Sequence, residues 1–216
     1  MKPKGPYVTL LAGLVTAAVL FGLGANAKSK DTARQQAANP PPATTAPATV
    51  SPTPSAAPIK QVNAVYAGRV NGGGATIAIT VRDGRAVAYL CDGSRVEAWL
   101  QGIAAAGKLS LTGRNGSLSG TYAAGAAKGS VAAAGKQWSF AAPVAKAPSG
   151  LYRATATVRN AKVIGGWIVL PDGTQVGVVS TDDKPAPAPR LDPATGSATV
   201  DGTSLTAAPV DAGTGI

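Results

Sequence analysis

TIAITVRDGRAVAYLCDG, residues 76–93, is the stretch from which the fold can be read. In Thr76–Arg82 the two isoleucines and the valine fall on one face, and the threonines and the arginine fall on the other. That period of two marks a β-strand with one face packed. Asp83-Gly84 is a preferred two-residue hairpin turn, which feeds the chain into a second apolar run, Arg85–Cys91. Asp92-Gly93 then turns it again.

The same alternation continues along the chain. Lys108-Leu109-Ser110-Leu111-Thr112 alternates cleanly, and Arg114-Asn115-Gly116 leads into Ser117–Tyr122. Gln137-Trp138-Ser139-Phe140 sets two aromatics on one face, and Leu151–Val158 alternates in turn. Val163–Leu170 is the longest apolar run, and Pro171-Asp172-Gly173 turns it into Thr174–Ser180. Short runs separated by regular turn signals predict a mainly β domain over residues 61–181, an antiparallel meander of about ten strands. Closure into a barrel and folding into a two-sheet sandwich would both remove exposed edges, and the pattern leaves both open. Asn71-Gly72-Gly73-Gly74 reads as a hairpin turn, and Val96–Ala106 is the one stretch that reads as able to hold a helical turn. Leu90–Val96 and Leu170–Val176 share the pattern L-x-D-G-[ST]-x-V. Hairpins of like geometry select like residues, and an old duplication is the alternative.

Outward from the domain, the N-terminus sets the expected location. Tyr7–Ala25 is a run of 19 residues without a charge, close to the ~20 that cross a bilayer as a helix. Residues 1–30 are therefore expected to form a transmembrane anchor. A signal sequence is the other reading, because Lys2, Lys4 and Ala25-Asn26-Ala27 resemble a basic start and a small-residue cleavage site. Against cleavage, the run exceeds the ~7–15 apolar residues usual there. Flanking charges nearly tie on orientation, with Lys2 and Lys4 on one side and Lys28, Lys30 and Arg34 on the other. The Pro-, Ala- and Thr-rich residues 31–60 tip it: they read as a disordered stalk that holds an extracytoplasmic domain away from a surface. Residues 182–216 read as a linker with an optional terminal hairpin. The expected location is thus the cell membrane, single-pass, with the C-terminal domain outside, or secretion if the segment is cleaved.

Composition excludes several chemistries. The 216 residues contain no histidine, which removes the commonest general base and the commonest metal ligand. Cys91 is the only cysteine, so neither an internal disulfide nor a cysteine zinc site can form. No Ser-x-x-Lys, Walker or dinucleotide glycine pattern occurs. Within residues 61–181, Asp92 and Glu97 are the only acids near enough in sequence to suggest a carboxylate pair, but Asp92 sits at a turn position. Cys91 is expected as a small buried strand residue, since a reactive thiol needs a stabilised thiolate. No enzyme, no metal and no cofactor are expected.

Charge is the positive clue. The chain carries 20 Lys and Arg against 10 acids, and residues 61–181 hold 12 against four. Arg82, Arg85, Arg95, Arg114, Arg153 and Arg159 are candidate contacts for a polyanion or other ligand, with Trp99 beside them because Glu97–Leu100 mixes exposed and buried character. Nucleic acid is the weaker reading, since no binding motif accompanies the charge.

YLCDGSRVEAWLQG (89–102), GLYRA (150–154) and GGWIVLPDGTQVG (165–177) resemble segments of uncharacterised actinobacterial single-pass membrane or exported proteins with a Pro/Ala/Thr stalk and a small β domain. The resemblance covers roughly residues 1–180 and implies a Gram-positive cell-envelope setting. It brings no activity and no catalytic residues. In that setting the polyanions are teichoic-type cell-wall polymers and lipid headgroups. The expected function is a non-catalytic, membrane-anchored binding or structural module for such polymers or for a protein partner. A small-molecule or peptide sensor with a pocket in the β domain is the alternative.

Overall fold

Residues 62–216 are described by a computed structural model. The expected span and stalk lie outside the described residues. Eight consecutive strands close into a barrel: β1 (Ala64–Arg69), β2 (Thr76–Arg82), β3 (Arg85–Cys91), β4 (Glu97–Ala105), β5 (Lys108–Gly113), β6 (Gly116–Tyr122), β7 (Ala126–Ala133) and β8 (Lys136–Ala145). Each is antiparallel to the next, and β8 returns to β1 through Val65↔Ala145, Tyr66↔Val144 and a bridge at Val70↔Phe140. Between those points the closing ladder is interrupted, and Pro143 explains the gap. The Val144 N–H donates to Gly125 O on the β7 side. Position 143 therefore faces β1, where proline has no N–H to give.

Inward side chains fill the barrel. Tyr66, Ile77, Ile79, Leu90, Leu100, Leu111, Leu118 and Phe140 are all buried there, with small alanines between them. Tight curvature needs close approach between strands. Gly120 and Gly129 face each other across β6 and β7, and a Cβ on either would run into a carbonyl of the partner strand. Hairpin turns such as Asp83-Gly84, Ala106-Gly107 and Ala134-Gly135 have both residues at positive φ, the turn whose twist suits paired strands.

A second sheet follows, in the order β12 (Lys184–Pro187), β11 (Gln175–Thr181), β10 (Ala161–Val169), β9 (Gly150–Val158), β15 (Ala208–Pro209). One face of it lies on the barrel wall: Leu151, Ile168, Leu170 and Val178 pack with Ala67, Ala78, Val87, Tyr89 and Cys91. Its other face carries Tyr152, Val163, Trp167 and Val179 under the hairpin of β13 (Ser197–Val200) and β14 (Thr203–Thr206). The molecule is thus layered as barrel, sheet and hairpin, with three separate cores.

The mainly β, antiparallel character is as the sequence predicts, and of barrel and sandwich the barrel is what forms. Residues 62–181 hold eleven strands, in keeping with the expected ten or so, and the first eight of them close the barrel. Four short strands, β12–β15, follow in residues 182–216. Two expectations are corrected. Val96–Ala106 holds no helical turn: β4 is a strand with Ala98, Leu100 and Ala104 inward and Trp99, Gln101 and Ile103 outward. Residues 182–195, expected as linker, include β12 and a run tied down by side chains. Trp167 Nε1 donates to Pro189 O at 2.8 Å, and the Gln175 amide brackets Leu191 N and O.

The two L-x-D-G loops share a device. Asp92 Oδ1 accepts the Ser94 N–H at 2.8 Å, and Asp172 Oδ1 accepts the Thr174 N–H at 2.9 Å. They also meet, since a Cβ on Gly93 would lie 3.0 Å from Val176 Cγ1.

Candidate functional site

The densest polar chemistry lies between the barrel wall and the second sheet. Tyr89 and Trp99 are cross-strand partners on the outward face of β3 and β4, with ring centroids 4.2 Å apart, and Cys91 pairs with Glu97 one step along. Gly166 of β10 lies over the rings. A Cβ there would sit 2.6 Å from Tyr89 Cζ and 2.7 Å from Trp99 Cζ2, so only glycine lets the sheet seat. The Glu97 carboxylate accepts from Tyr89 OH at 3.0 Å and from Ser180 Oγ at 2.6 Å. The Arg153 guanidinium of β9 stands 5.4 Å from the Trp99 ring, within cation–π range. Glu97 and Arg153 thus tie barrel to sheet from opposite sides.

This cluster is built as a clamp. Burial pushes the Tyr89 hydroxyl well above its usual pKa, and the nearby Cys91 and Glu97 add to the rise. Burial likewise pushes the Cys91 thiol up to about 12, so the buried sulfur is a neutral thiol at physiological pH. Asp92 does not join Glu97. Its partial burial would raise its pKa, but the N–H groups of Ser94, Arg95 and Val96 at 2.8–3.0 Å outweigh that and hold it low. Trp99 Nε1 and Arg153 Nε are buried without a hydrogen-bond partner.

The six arginines singled out from sequence are scattered. Arg82 and Arg85 face each other at the β2–β3 end of the barrel, where Arg82 is paired with Asp211 at 3.3 Å and Asp83 at 3.8 Å. A groove of about 670 Å³ opens at that end beside Asn63, Thr80, Arg82 and Asp211, and its rim charges are bound to one another. Arg95 lies in the β3–β4 loop and Arg114 in the β5–β6 turn. Arg159, in the β9–β10 turn, donates to Asp201 O at 3.1 Å. Arg153 meets Trp99 beneath the sheet. Of the seven candidates, the structure brings together only Arg82 with Arg85 and Trp99 with Arg153.

A different set comes together on the wall that the second sheet leaves bare. On the outward faces of β5–β8 stand Ser, Thr, Lys, Gln, Ala and Pro only, while Leu109, Leu111, Leu118, Tyr122, Val131 and Phe140 point inward. Lys108, Arg114, Lys128 and Lys136 are exposed on this wall or at its turns, and none of them is in an ion pair among the described residues. No acid occurs between Glu97 and Asp172. Residues 62–216 hold fourteen Lys and Arg and nine acids; the wall takes four of the cations and no acid, so the remainder is nearly neutral. Lys108, Lys128 and Lys136 were not singled out from sequence because strand register, and not proximity in the chain, assembles them. The available signal was the long acid-free interval.

No family model, no curated protein and no solved structure matches the chain. What the fold defines is a class by architecture: an all-β protein with a filled, closed eight-stranded barrel, half of whose wall is clad by a second sheet.

Proposed function

We propose that the chain is a non-catalytic binding module, held outside the cytoplasmic membrane by its N-terminal apolar segment and stalk, that contacts anionic envelope polymers through the bare barrel wall. The observation that carries this reading is the segregation of charge: Lys108 and Lys128 stand on one sheet face and Arg114 and Lys136 at its turns, none of them in an ion pair among the described residues, with no acid beside them. Such a face attracts polyanions at long range, and the attraction weakens as salt screens it. The neutral Cys91 thiol and the separate engagement of Asp92 and Glu97 support a binding role over catalysis. The filled interior disfavours a sensor pocket inside the barrel.

Full-length protein in nonionic detergent is expected to be retained on an immobilised anionic cell-wall polymer and to elute as salt rises. Passage of the wild-type protein without retention at low salt would rule the reading out. Its topological half is checked by protease on intact cells: the domain should be lost from the outside, and protection would place it in the cytoplasm.

A further inference from the structure

We infer that the partner is a linear polyanion bearing hydroxyls, a polyol phosphate in chemical terms, and that it lies across the strands of the bare wall along a rung of serines. This rests on the polyanion reading above and adds a place, a direction and a chemistry to it. The rung follows from register. Ser110 pairs with Ser119, Ser119 with Ser130, and Ser130 with Ser139, one serine on each of β5–β8. At the usual strand spacing of about 4.8 Å the four span roughly 14 Å. Asn71 closes one end, donating to Ser139 Oγ at 2.9 Å, and Ile103, 65% exposed, flanks the other beside Ser110.

Cations border the rung on both sides. Lys108 and Lys128 both pair with Thr121, so they stand two strands apart, about 10 Å, in an adjacent rung. Arg114 and Lys136 lie at the opposite ends of their strands, in or beside the turns. A chain laid across the strands therefore meets hydroxyls along its length and positive charge along both margins.

Side-chain chemistry narrows the occupant. Serine hydroxyls donate and accept, so they match polyol hydroxyls, while the bordering cations meet the phosphates. Internal contacts leave most of the serines' capacity free: Ser119 Oγ and Ser130 Oγ are 3.4 Å apart, and Ser139 Oγ accepts from Asn71 but keeps its own proton to donate. No aromatic ring faces outward on β5–β8, so stacking of nucleic-acid bases has no platform. Ile103 is the one large apolar side chain exposed at the wall's edge, too little to insert among lipids, and the outward apolar residues of β5–β8 are alanines and Pro143.

The test measures binding of full-length protein in nonionic detergent to poly(glycerol phosphate) and to inorganic polyphosphate of equal charge. Replacing Ser110, Ser119, Ser130 and Ser139 together by alanine leaves the charge unchanged. It is expected to weaken poly(glycerol phosphate) binding about tenfold and polyphosphate binding less than about twofold, the size of one or two net hydrogen bonds. The matching serine-to-threonine variant, which keeps the hydroxyls, should bind like wild type and covers the case in which the alanine variant fails to fold. Lys108→Gln with Lys128→Gln should weaken both ligands. Unchanged poly(glycerol phosphate) binding in the alanine variant would overturn the rung, and the polyanion reading would survive if the lysine variant still lost affinity. Unchanged binding in both variants would sink the two together. Equal or tighter binding of a single-stranded oligonucleotide or of anionic vesicles would replace the polymer with that partner.

Discussion

The two halves of the barrel share one interior and differ only in what lies outside them. On β2 and β3 the outward residues Ala78, Val87, Tyr89 and Cys91 are buried beneath the second sheet, so both faces of those strands are dry. On β5 and β6 the outward residues Ser110, Thr112, Ser117 and Ser119 are exposed. Charge follows the same division. Acids such as Asp172 and Asp211 pair with cations on the clad side, Arg69 and Arg82, while the bare side holds unpaired cations. One wall therefore serves cohesion and the other is left free to meet a partner, and substitutions should separate the two roles.

The largest effect is expected from Gly166→Leu. Its side chain would enter the space of the Tyr89 and Trp99 rings and lift the sheet from the barrel, costing about 3 kcal/mol or more in urea unfolding. Ser119→Leu on the bare wall, exposed at a regular strand position, should change stability by no more than about 0.5 kcal/mol. Equal losses from the two would erase the distinction between the walls.

Next in size is Glu97→Ala, which strands the hydroxyls of Tyr89 and Ser180 at the interface and should cost about 1–3 kcal/mol. Glu97→Gln keeps an acceptor and should recover part of that loss. If the alanine variant unfolds at the wild-type urea concentration, the carboxylate is no clamp.

A smaller effect concerns pH. Cys91 holds its proton up to about 12 when folded, against an ordinary value of 9.0, and the folded Tyr89 pKa is raised too. Groups raised in this way stabilise the fold fully below their unfolded pKa, and that stability is lost as pH rises through the folded value. Stability should therefore fall between about pH 9 and 12, and Cys91→Ala should flatten part of that fall. The native thiol should resist alkylation at pH 8 until the protein unfolds. Rapid labelling of folded protein would contradict the burial.

Much of this contrast was legible in the residues. KLSLTG alternates because one of its faces is wet, whereas RAVAYLC runs nearly unbroken because both of its faces are covered. Closure was not legible. It depends on close approaches such as Gly120 to Gly129 and on pairing between β1 and β8, strands more than 70 residues apart in sequence. The cladding sheet hid behind the same alternation, since Thr76 and Thr80 read as a solvent face and are buried. Trp99 stood out in sequence for its mixed surroundings, and its neighbours prove to be Tyr89 and Arg153. Arginine is conspicuous at turns, so Arg82, Arg85, Arg95 and Arg159 drew attention, yet the unpaired face is made largely of lysines spaced eight and twenty residues apart.

The most direct measurement compares two variants of equal charge on an anionic-polymer column. One replaces Lys108, Arg114, Lys128 and Lys136 by serine, and the other replaces Arg82, Arg85, Arg95 and Arg159. A binding wall on β5–β8 predicts that the first variant elutes at much lower salt than wild type while the second stays close to it. Equal shifts for the two would show that net charge alone governs retention and that the bare wall is no site.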